Sequence, residues 1–501
     1  MRKDYLPYTI LTLLGLILNA FTCSMSPFRE CLFNSDVNCF YMEGKAWALG
    51  YIPYVDFIDS KGPLLFLIFA IGYLISPDNT YGMYLLASVS TVITLIFIYK
   101  TAHHFTKSIS LALFVTICCS AALFFKPYYG YGPRTEQFII PFVAWIIYFI
   151  TAKADKLDKD IKNWTYLGIC LGITTAICLL TKYVYIIFPL VTFICAIVFL
   201  NNNHSSYKNL LLLSTSFLFS LFLFCLPFAI YLFLTKSFDD FIWSYFQLSA
   251  NYSTHEVQSS LFEKLLSYFS ILKNNTIKEP AFFAVLISLI TFGLPVFREQ
   301  MNMRHRLACI ISFLALIFCC SIGLFRYYLL VYFPLFMFPI IVICLKFSFK
   351  KLLFISLSLF ILFFSILTPI IATKYKLAKQ LSNTPKEWSC DYKKVEDIIK
   401  SRFRAKIIYM DGLGHGFGIR TGAIPACPAW FKLTKSGSEL AVIQETAIIK
   451  RIPDFVFTHH YTNHSDLLKN SGYEKTMTIL EGSRMKTGLT LWSKKNSSPH
   501  Q

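Results

Sequence analysis

The chain has 501 residues, of which 55% are apolar, 17% aromatic and only 15% charged. Soluble domains carry about 25% charged residues, so a water-soluble globular protein is excluded for most of the length. The 47 basic residues exceed the 28 acidic ones by 19, but they flank apolar runs, a pattern of membrane topology and anionic head groups rather than nucleic acid.

Arg2 and Lys3 precede the first apolar run, Tyr5–Cys23, and place the N-terminus in the cytoplasm. The run has no small-x-small cleavage site, so it reads as a retained span rather than a signal peptide. The stretch Ser35–Phe66 comes next, on the outer side. It carries Asp36, Glu43, Asp56, Asp59, Lys45 and Lys61 in a chain poor in charge. Charges so close to a membrane exit must stay at the interface or find partners.

The number of crossings fixes the side of each later loop. If Pro63–Ser76 crossed, the basic groups Lys153–Lys162, Arg298–Arg306 and Lys346–Lys351 would all face outward, inverting the positive-inside rule. That segment is short, about 14 residues against the ~17 a span requires. It is therefore expected to lie in the outer interface, as is Val37–Leu49. Spans are then expected near 81–100, 109–126, 137–152, 164–181, 183–200, 210–234, 280–297, 307–324, 327–345 and 352–372, about 11 with the first. A long outer loop, Thr235–Glu279, has aromatic or amphipathic segments at Phe238–Tyr252 and Leu261–Leu272. These suit interfacial helices, as a connector or as a lid.

After Thr373 the composition becomes that of a soluble domain. Strands are expected at Lys406–Met410, Asp454–Thr458, Lys475–Leu480 and Leu489–Ser493, and helices at Gly437–Lys450 and Asp466–Ser471. The expected architecture is thus a polytopic all-α bundle over 1–373, with in-plane helices in the first outer loop. A small extracytoplasmic α/β domain occupies 374–501. The Gly-rich run Gly412–Gly418 comes after a strand but lacks nucleotide-loop spacing, a clear following helix and the distal acid. His459, His460 and His464 have no partner motif for a metal. Most of the 15 cysteines, including Cys118-Cys119 and Cys319-Cys320, lie in apolar runs as packing residues. Cys31, Cys39, Cys390 and Cys427 lie in outer parts where disulfides could form, with the pairing open.

Four charged features fall on the outer face. They are Asp36; Asp56, Asp59 and Lys61 in YVDFIDSKGP; Arg134 and Glu136 in YYGYGPRTEQF; and Arg326 with Tyr327 and Tyr328 in FRYYLLVYFP. Each has an ordinary reading alone. Asp36 could cap a helix, Lys61 snorkel, Glu136 charge a helix start and Arg326 anchor a span. Lys182, in a tight outer turn, is a similar case. Together they match what a lipid-linked sugar requires. Arg and Lys hold a phosphate at the membrane surface and stabilise it as it leaves. A carboxylate takes the proton of the attacking acceptor hydroxyl, typically a ~10²–10⁴-fold effect. One in-line displacement inverts the anomeric centre. Tyr128, Tyr129 and Tyr131 could stack on sugar or isoprenoid.

On these residues the chain resembles the GT-C superfamily of integral membrane glycosyltransferases. The likeness is to the dolichyl-phosphate-mannose–protein mannosyltransferase branch, which includes the aminoarabinose transferases. The matching elements are Asp36, Gly50-Tyr51-Ile52-Pro53-Tyr54-Val55-Asp56, Lys61-Gly62-Pro63, Thr135-Glu136, and Arg326-Tyr327 with Pro334. The resemblance covers about residues 1–372. It implies that Asp36 is the catalytic or acceptor-activating acid, and that Lys61, Arg326 and Tyr327 bind the donor phosphate. Asp56, Asp59, Arg134 and Glu136 are expected to position acceptor or sugar, or to orient the cations. The chain departs from the branch in having Asp36-Val37 in place of an Asp-Glu pair, and Lys61-Gly62-Pro63 in place of Lys-Pro-Pro. No Asp-x-Asp motif stands in the second outer loop, so no metal or other cofactor is expected.

The expected activity is an inverting transfer from a polyprenyl-phosphate-linked sugar to a protein, lipid or glycan acceptor outside the cytoplasm, in a bacterial inner membrane. A transporter or flippase for lipid-linked glycan, and a non-catalytic scaffold, are the alternatives. The expected partners are that donor, its acceptor and membrane lipids, with no nucleic acid.

Overall fold

A computed structural model describes residues 2–28, 35–124, 129, 132–153, 161–200, 207–248, 280–321, 326–346, 358, 387–411, 416–431, 438–459, 462–479 and 488–495. The longer helices, in chain order, are α1 (Arg2–Thr22), α2 (Ser35–Ala48), α3 (Pro63–Ile75), α4 (Tyr81–Thr106), α5 (Ile109–Leu123), α6 (Thr135–Tyr148), α7 (Ile161–Thr181), α8 (Ile187–Cys195) and α9 (Tyr207–Leu234). They continue as α10 (Pro280–Thr291), α11 (Met303–Ser321), α12 (Met337–Lys346), α13 (Glu387–Lys400) and α14 (Ser438–Ile449).

Six helical stretches among the described residues are long and apolar enough to cross a membrane: Tyr5–Thr22, Tyr81–Thr106, Thr135–Lys153, Lys162–Thr181, Tyr207–Leu234 and Tyr327–Lys346. Ile109–Leu123 and Tyr183–Phe199 are shorter apolar helices. The segments expected at 261–272 and 352–372 lie outside the described residues, apart from Ser358. Two expected spans are irregular. Near 280–297 the helix ends at Thr291, and a separate short helix begins at Pro295 after an extended Leu294. The run from Arg326 starts as a 3-10 helix through Phe336 before α12.

By packing, the chain forms two compact units. The first comprises Met1–Cys23, Leu85–Phe228 and Gln258–Pro369. Its core is aliphatic and aromatic, with Phe105, Phe292, Phe297, Phe313 and Phe338 in edge-on and stacked contacts. Gly168 lets α7 approach α9 closely, since a Cβ there would stand 2.5 Å from the Leu213 carbonyl oxygen. A buried polar node ties three helices and Tyr129. Asn19 donates to Thr91 at 2.9 Å and accepts from Tyr129 at 3.0 Å and Gln137 at 3.3 Å. These bonds satisfy groups that would be costly to bury alone.

The second unit comprises Ser24–Tyr84, Ala229–Val257 and Ile370–Gln501. Here α2 and α3 pack as a hairpin. Helix α3 begins at Pro63 in the first turn, after Gly62 as N-cap, where the missing N–H costs nothing. Its 13 residues span roughly 20 Å, short of a bilayer core of about 30 Å. Both helices lie within two residues of their expected ends.

The C-terminal part of this unit carries a five-stranded sheet in the order β2-β1-β3-β5-β4. Its strands are β1 (Lys406–Tyr409), β2 (Ile424–Pro425), β3 (Phe455–His459), β4 (Tyr473–Ile479) and β5 (Leu489–Lys494). Strand β1 runs parallel to β2 and β3, and β5 antiparallel to β3 and β4. The parallel connections pass through helices, Phe417–Thr421 and α14, as parallel strands require. Strand β2, α13 and the helix Phe417–Thr421 were not expected from the sequence.

The loop that follows α1, expected on the outer side, is bound into this unit. The Ile58 N–H donates to the Pro428 carbonyl at 2.9 Å, and Ser244 Oγ to the Asp59 carbonyl at 2.8 Å. Buried Lys45 donates to the Gly418 carbonyl at 2.9 Å. Phe238–Phe241 forms a helical turn that continues as a π-helix through Gln247, and its Phe241, Ser244 and Tyr245 are buried. This part of the long outer loop therefore packs on the first loop. Cys39 and Cys427 are free thiols; Cys31 lies outside the described residues, as does the side chain of Cys390.

Gly44 sets how closely α2 and α3 cross. A Cβ there would lie 2.5 Å from Phe69 Cβ and 2.6 Å from the Ala70 nitrogen. Gly44→Val is expected to destabilise the protein by about 1–3 kcal/mol, seen as a lower Tm of the purified protein. An unchanged Tm would show that the hairpin does not close as described.

Candidate active site

Asp36 lies in the first turn of α2, half-buried, where the helix N-terminus favours a carboxylate. Glu43 stands two turns later on the same face. The chain then turns tightly through Tyr54, whose backbone is left-handed at φ 70°, a conformation a side chain adopts at a cost. What holds it is the ring, packed on Phe66 and Phe241, and the hydroxyl, which donates to the Lys61 carbonyl at 2.8 Å. Asp56 closes the same turn, with Oδ2 accepting from the Ile52 N–H at 2.6 Å.

This turn presents Asp59 and Lys61. Lys61 Nζ lies 3.6 Å from Asp59 Oδ1, donates to Ser60 Oγ at 3.1 Å and stands 5.7 Å above the Phe40 ring. Asp59 is buried. Glu43 is fully buried, with Asp59 and Trp430 beside its carboxyl. Burial first, and then the neighbouring Asp59 charge, push the Glu43 carboxyl well above its ordinary value, against an opposing pull from Lys61. Glu43 is therefore the neutral member of this carboxylate pair. Trp430, also fully buried, is among its neighbours. Burial likewise lowers the Lys45 amine to about 7.

The second cluster belongs to the other unit. Arg134 is the N-cap of α6 and Glu136 lies in its first turn. Glu136 is buried and accepts from Lys182 Nζ at 2.6 Å and from the Tyr185 hydroxyl at 3.2 Å. Lys182 Nζ lies 3.2 Å from the centre of the Tyr328 ring, and the Arg134 guanidinium 4.2 Å from that of Tyr327. These are charge–quadrupole contacts of short range. Arg326 opens the 3-10 helix; its side chain lies outside the described part.

The structure thus brings Asp59 together with Lys61, and Arg134 with Tyr327, while Glu136 joins Lys182. Asp56 braces its own turn. Glu43, Lys182 and Tyr185 were not among the expected site residues. Lys182 had a signal, a basic residue in an outer turn, and Glu43 had another, an acid seven residues after Asp36. Of the C-terminal motif, Asp411 accepts from His464 Nε2 at 2.9 Å, Thr462 Oγ1 at 2.6 Å and the His459 N–H at 2.8 Å. Burial raises the Asp411 carboxyl, but these donors outweigh it and hold it below its ordinary value. His464 thereby ties the ends of β1 and β3. Among the described residues no three His, Cys, Asp or Glu side chains converge as metal ligands would.

The sequence profile of the family described as dolichyl-phosphate-mannose-protein mannosyltransferase matches residues 60–237. That span includes Lys61, Arg134, Glu136 and Lys182. Among solved structures, ArnT from Cupriavidus metallidurans bound to undecaprenyl phosphate aligns with a TM-score of 0.61, over 97% of each chain, at 10% identity. The chain shares the fold of ArnT. ArnT in the apo state aligns with a TM-score of 0.55, also at 10% identity and 97% of each chain. The Archaeoglobus fulgidus oligosaccharyltransferase in complex with zinc and sulfate aligns at 0.49 and 13% identity, over 90% of this chain and 68% of that one. No curated protein matches the sequence. The family match takes in Lys61-Gly62-Pro63 and Thr135-Glu136 of the motifs read from the sequence, and six helical stretches among the described residues are long and apolar enough to cross a membrane.

The buried charges lead to two expected outcomes. A neutral Glu43 in the fold takes up or keeps a proton that the unfolded chain loses above its ordinary value of 4.5. Rising pH above that value therefore favours unfolding through this group. Glu43→Gln removes the effect, so its Tm should exceed that of the wild type by an amount that grows between about pH 5 and pH 8. A difference that does not change with pH would show Glu43 to be ionised in the fold. Lys182→Met leaves Glu136 buried without its cation and should cost about 3–5 kcal/mol. The pair Glu136→Gln with Lys182→Met should recover most of that loss in thermal unfolding.

Proposed function

We propose that this protein transfers a sugar from a polyprenyl-phosphate carrier to an acceptor outside the cytoplasm, with inversion at the anomeric carbon. The observation that carries this reading is the Asp59–Lys61 pair on the first outer loop. Lys61 Nζ stands 3.6 Å from Asp59 Oδ1 and over the Phe40 ring, and a lysine is a point charge suited to a phosphate. ArnT, similar in fold along 97% of its chain, is a structure bound to undecaprenyl phosphate, and that ligand class fits such a lysine.

In this reading Asp36 takes the acceptor proton, and Lys61, Arg326 and Tyr327 hold the donor phosphate. Arg134 keeps Tyr327 in place through its stacked guanidinium. Glu136 fixes Lys182, Asp59 aims Lys61, and Asp56 maintains the turn that carries them. No metal takes part. The catalytic domain is 1–373, and 374–501 acts in acceptor recognition on the outer face of a bacterial inner membrane.

The described ion pairs favour this over transport. Arg134 and Glu136 open α6, and Lys182 comes directly after the end of α7, whereas a carrier needs charges deep in the bundle. The test is transfer of labelled sugar from a panel of polyprenyl-phosphate donors by wild type and Asp36→Asn. The wild type should transfer, and the variant should lose about 10²–10⁴-fold while still inserting. Product NMR should show the inverted anomer. Equal transfer would remove Asp36 as the base, and no transfer by the wild type would overturn the enzyme reading.

A further inference from the structure

At one end of the helical bundle a cavity of about 480 Å³ opens between α1, α4, α5 and α6. It belongs entirely to the first compact unit. Its lining includes Lys100, Lys107, Lys153, His103, Tyr8 and Tyr148, and among the described residues that line it there is no carboxylate. The positive-inside rule puts these lysines on the cytoplasmic side, whereas Asp36 and Lys61 are expected on the outer side.

The cations here are held by rings. Lys100 Nζ lies 6.0 Å and Lys153 Nζ 5.8 Å from the centre of the same Tyr148 ring, and Lys100 also stands 5.7 Å over Phe97. A ring face attracts a cation without neutralising it. Tyr8 meets Tyr99 edge-on at 6.0 Å, and Tyr99 lies 5.8 Å from His103, which fixes the wall of the cavity. After Tyr148 the helix widens into a π-turn, Phe149–Lys153, that ends at Lys153. Such turns recur at functional sites. A basic residue at a helix C-terminus offsets the dipole, and one per helix would serve that purpose. Three lysines around one cavity give a local excess of positive charge among the described lining residues.

We propose that this cavity binds the phosphate head group of an anionic glycerophospholipid of the cytoplasmic leaflet. Lys100 and Lys153 contact the phosphate across the Tyr148 ring, Lys107 closes the rim, and the tyrosine hydroxyls hydrogen-bond the glycerol oxygens. The acyl chains lie along the outer faces of α1 and α4, where Leu6, Leu13, Val89 and Ile93 are exposed. Basic pockets between membrane helices take phosphate head groups by this chemistry.

The experiment is native mass spectrometry of the full-length protein in detergent with added phosphatidylglycerol, cardiolipin or phosphatidylcholine. It is repeated for the double variant Lys100→Gln, Lys153→Gln and for Lys100→Arg, Lys153→Arg. The wild type should retain the anionic lipids at least tenfold better than phosphatidylcholine. The glutamine variant should lose roughly 25-fold, about fivefold per lysine, and the arginine variant should keep the preference. Arginine also serves as the folding control, since it conserves charge and length. Equal retention of all three lipids, or an unchanged preference in the glutamine variant, would overturn the proposal. Displacement of the lipid by millimolar inorganic phosphate, with no lipid preference at lower phosphate, would overturn it in favour of a soluble phosphate ligand.

Discussion

A charge taken out of water must be paired, neutralised or set against an aromatic face. This chain uses each solution at a different place, and the choice determines what each place can do. Glu136 and Lys182 are paired at 2.6 Å. Glu43 is neutralised by burial and by Asp59. Arg134 lies on Tyr327, and Lys100 and Lys153 share Tyr148. A fully paired charge is consumed by structure. A cation on a ring, or one sharing a single carboxylate, keeps attraction to give to a ligand. The lysines of the bundle cavity are of this second kind, and Lys61 lies over the Phe40 ring beside Asp59.

The same constraint explains why the first outer loop is built so heavily. Its left-handed Tyr54, the Asp56 turn, the Gly44 crossing and the bonds to Pro428, Gly418 and Ser244 all serve a few charged groups. A loop free in solvent could not keep Glu43 dry. The packing of 238–248 and of the C-terminal sheet region around this loop supplies the apolar cover. The segment read from sequence as a connector or a lid is, over its described part, packed against this loop.

Much of the fold was legible because membrane helices and strands announce themselves by run length and periodicity. Helices α2, α3 and α14 and the four expected strands fall within about two residues of expectation, a normal margin for element ends. What failed has physical causes. Strand β2 has only two residues and carries no periodicity to read. Helix α13 is amphipathic but poor in apolar residues, and Phe417–Thr421 hides in a Gly-rich run. The break at Gly293–Leu294 was hidden inside an apolar stretch. At the site, sequence spacing could select Asp59, Lys61, Arg134 and Glu136 as chemically able residues. It could not show that Glu136 is joined to Lys182, since their partnership spans 46 residues. Nor could it distinguish Glu43, which stands apart from the other acids only by its burial.

That Lys61 serves a lipid phosphate is the central claim, and binding tests it more directly than turnover. Purified wild type and Lys61→Ala would be titrated with undecaprenyl phosphate, and bound lipid measured after separation from free lipid. Saturable binding by the wild type is expected, with a loss of about tenfold or more in the variant, as for removal of one charge-assisted bond. Equal affinity of the two proteins, or no saturable binding by the wild type, would contradict the claim.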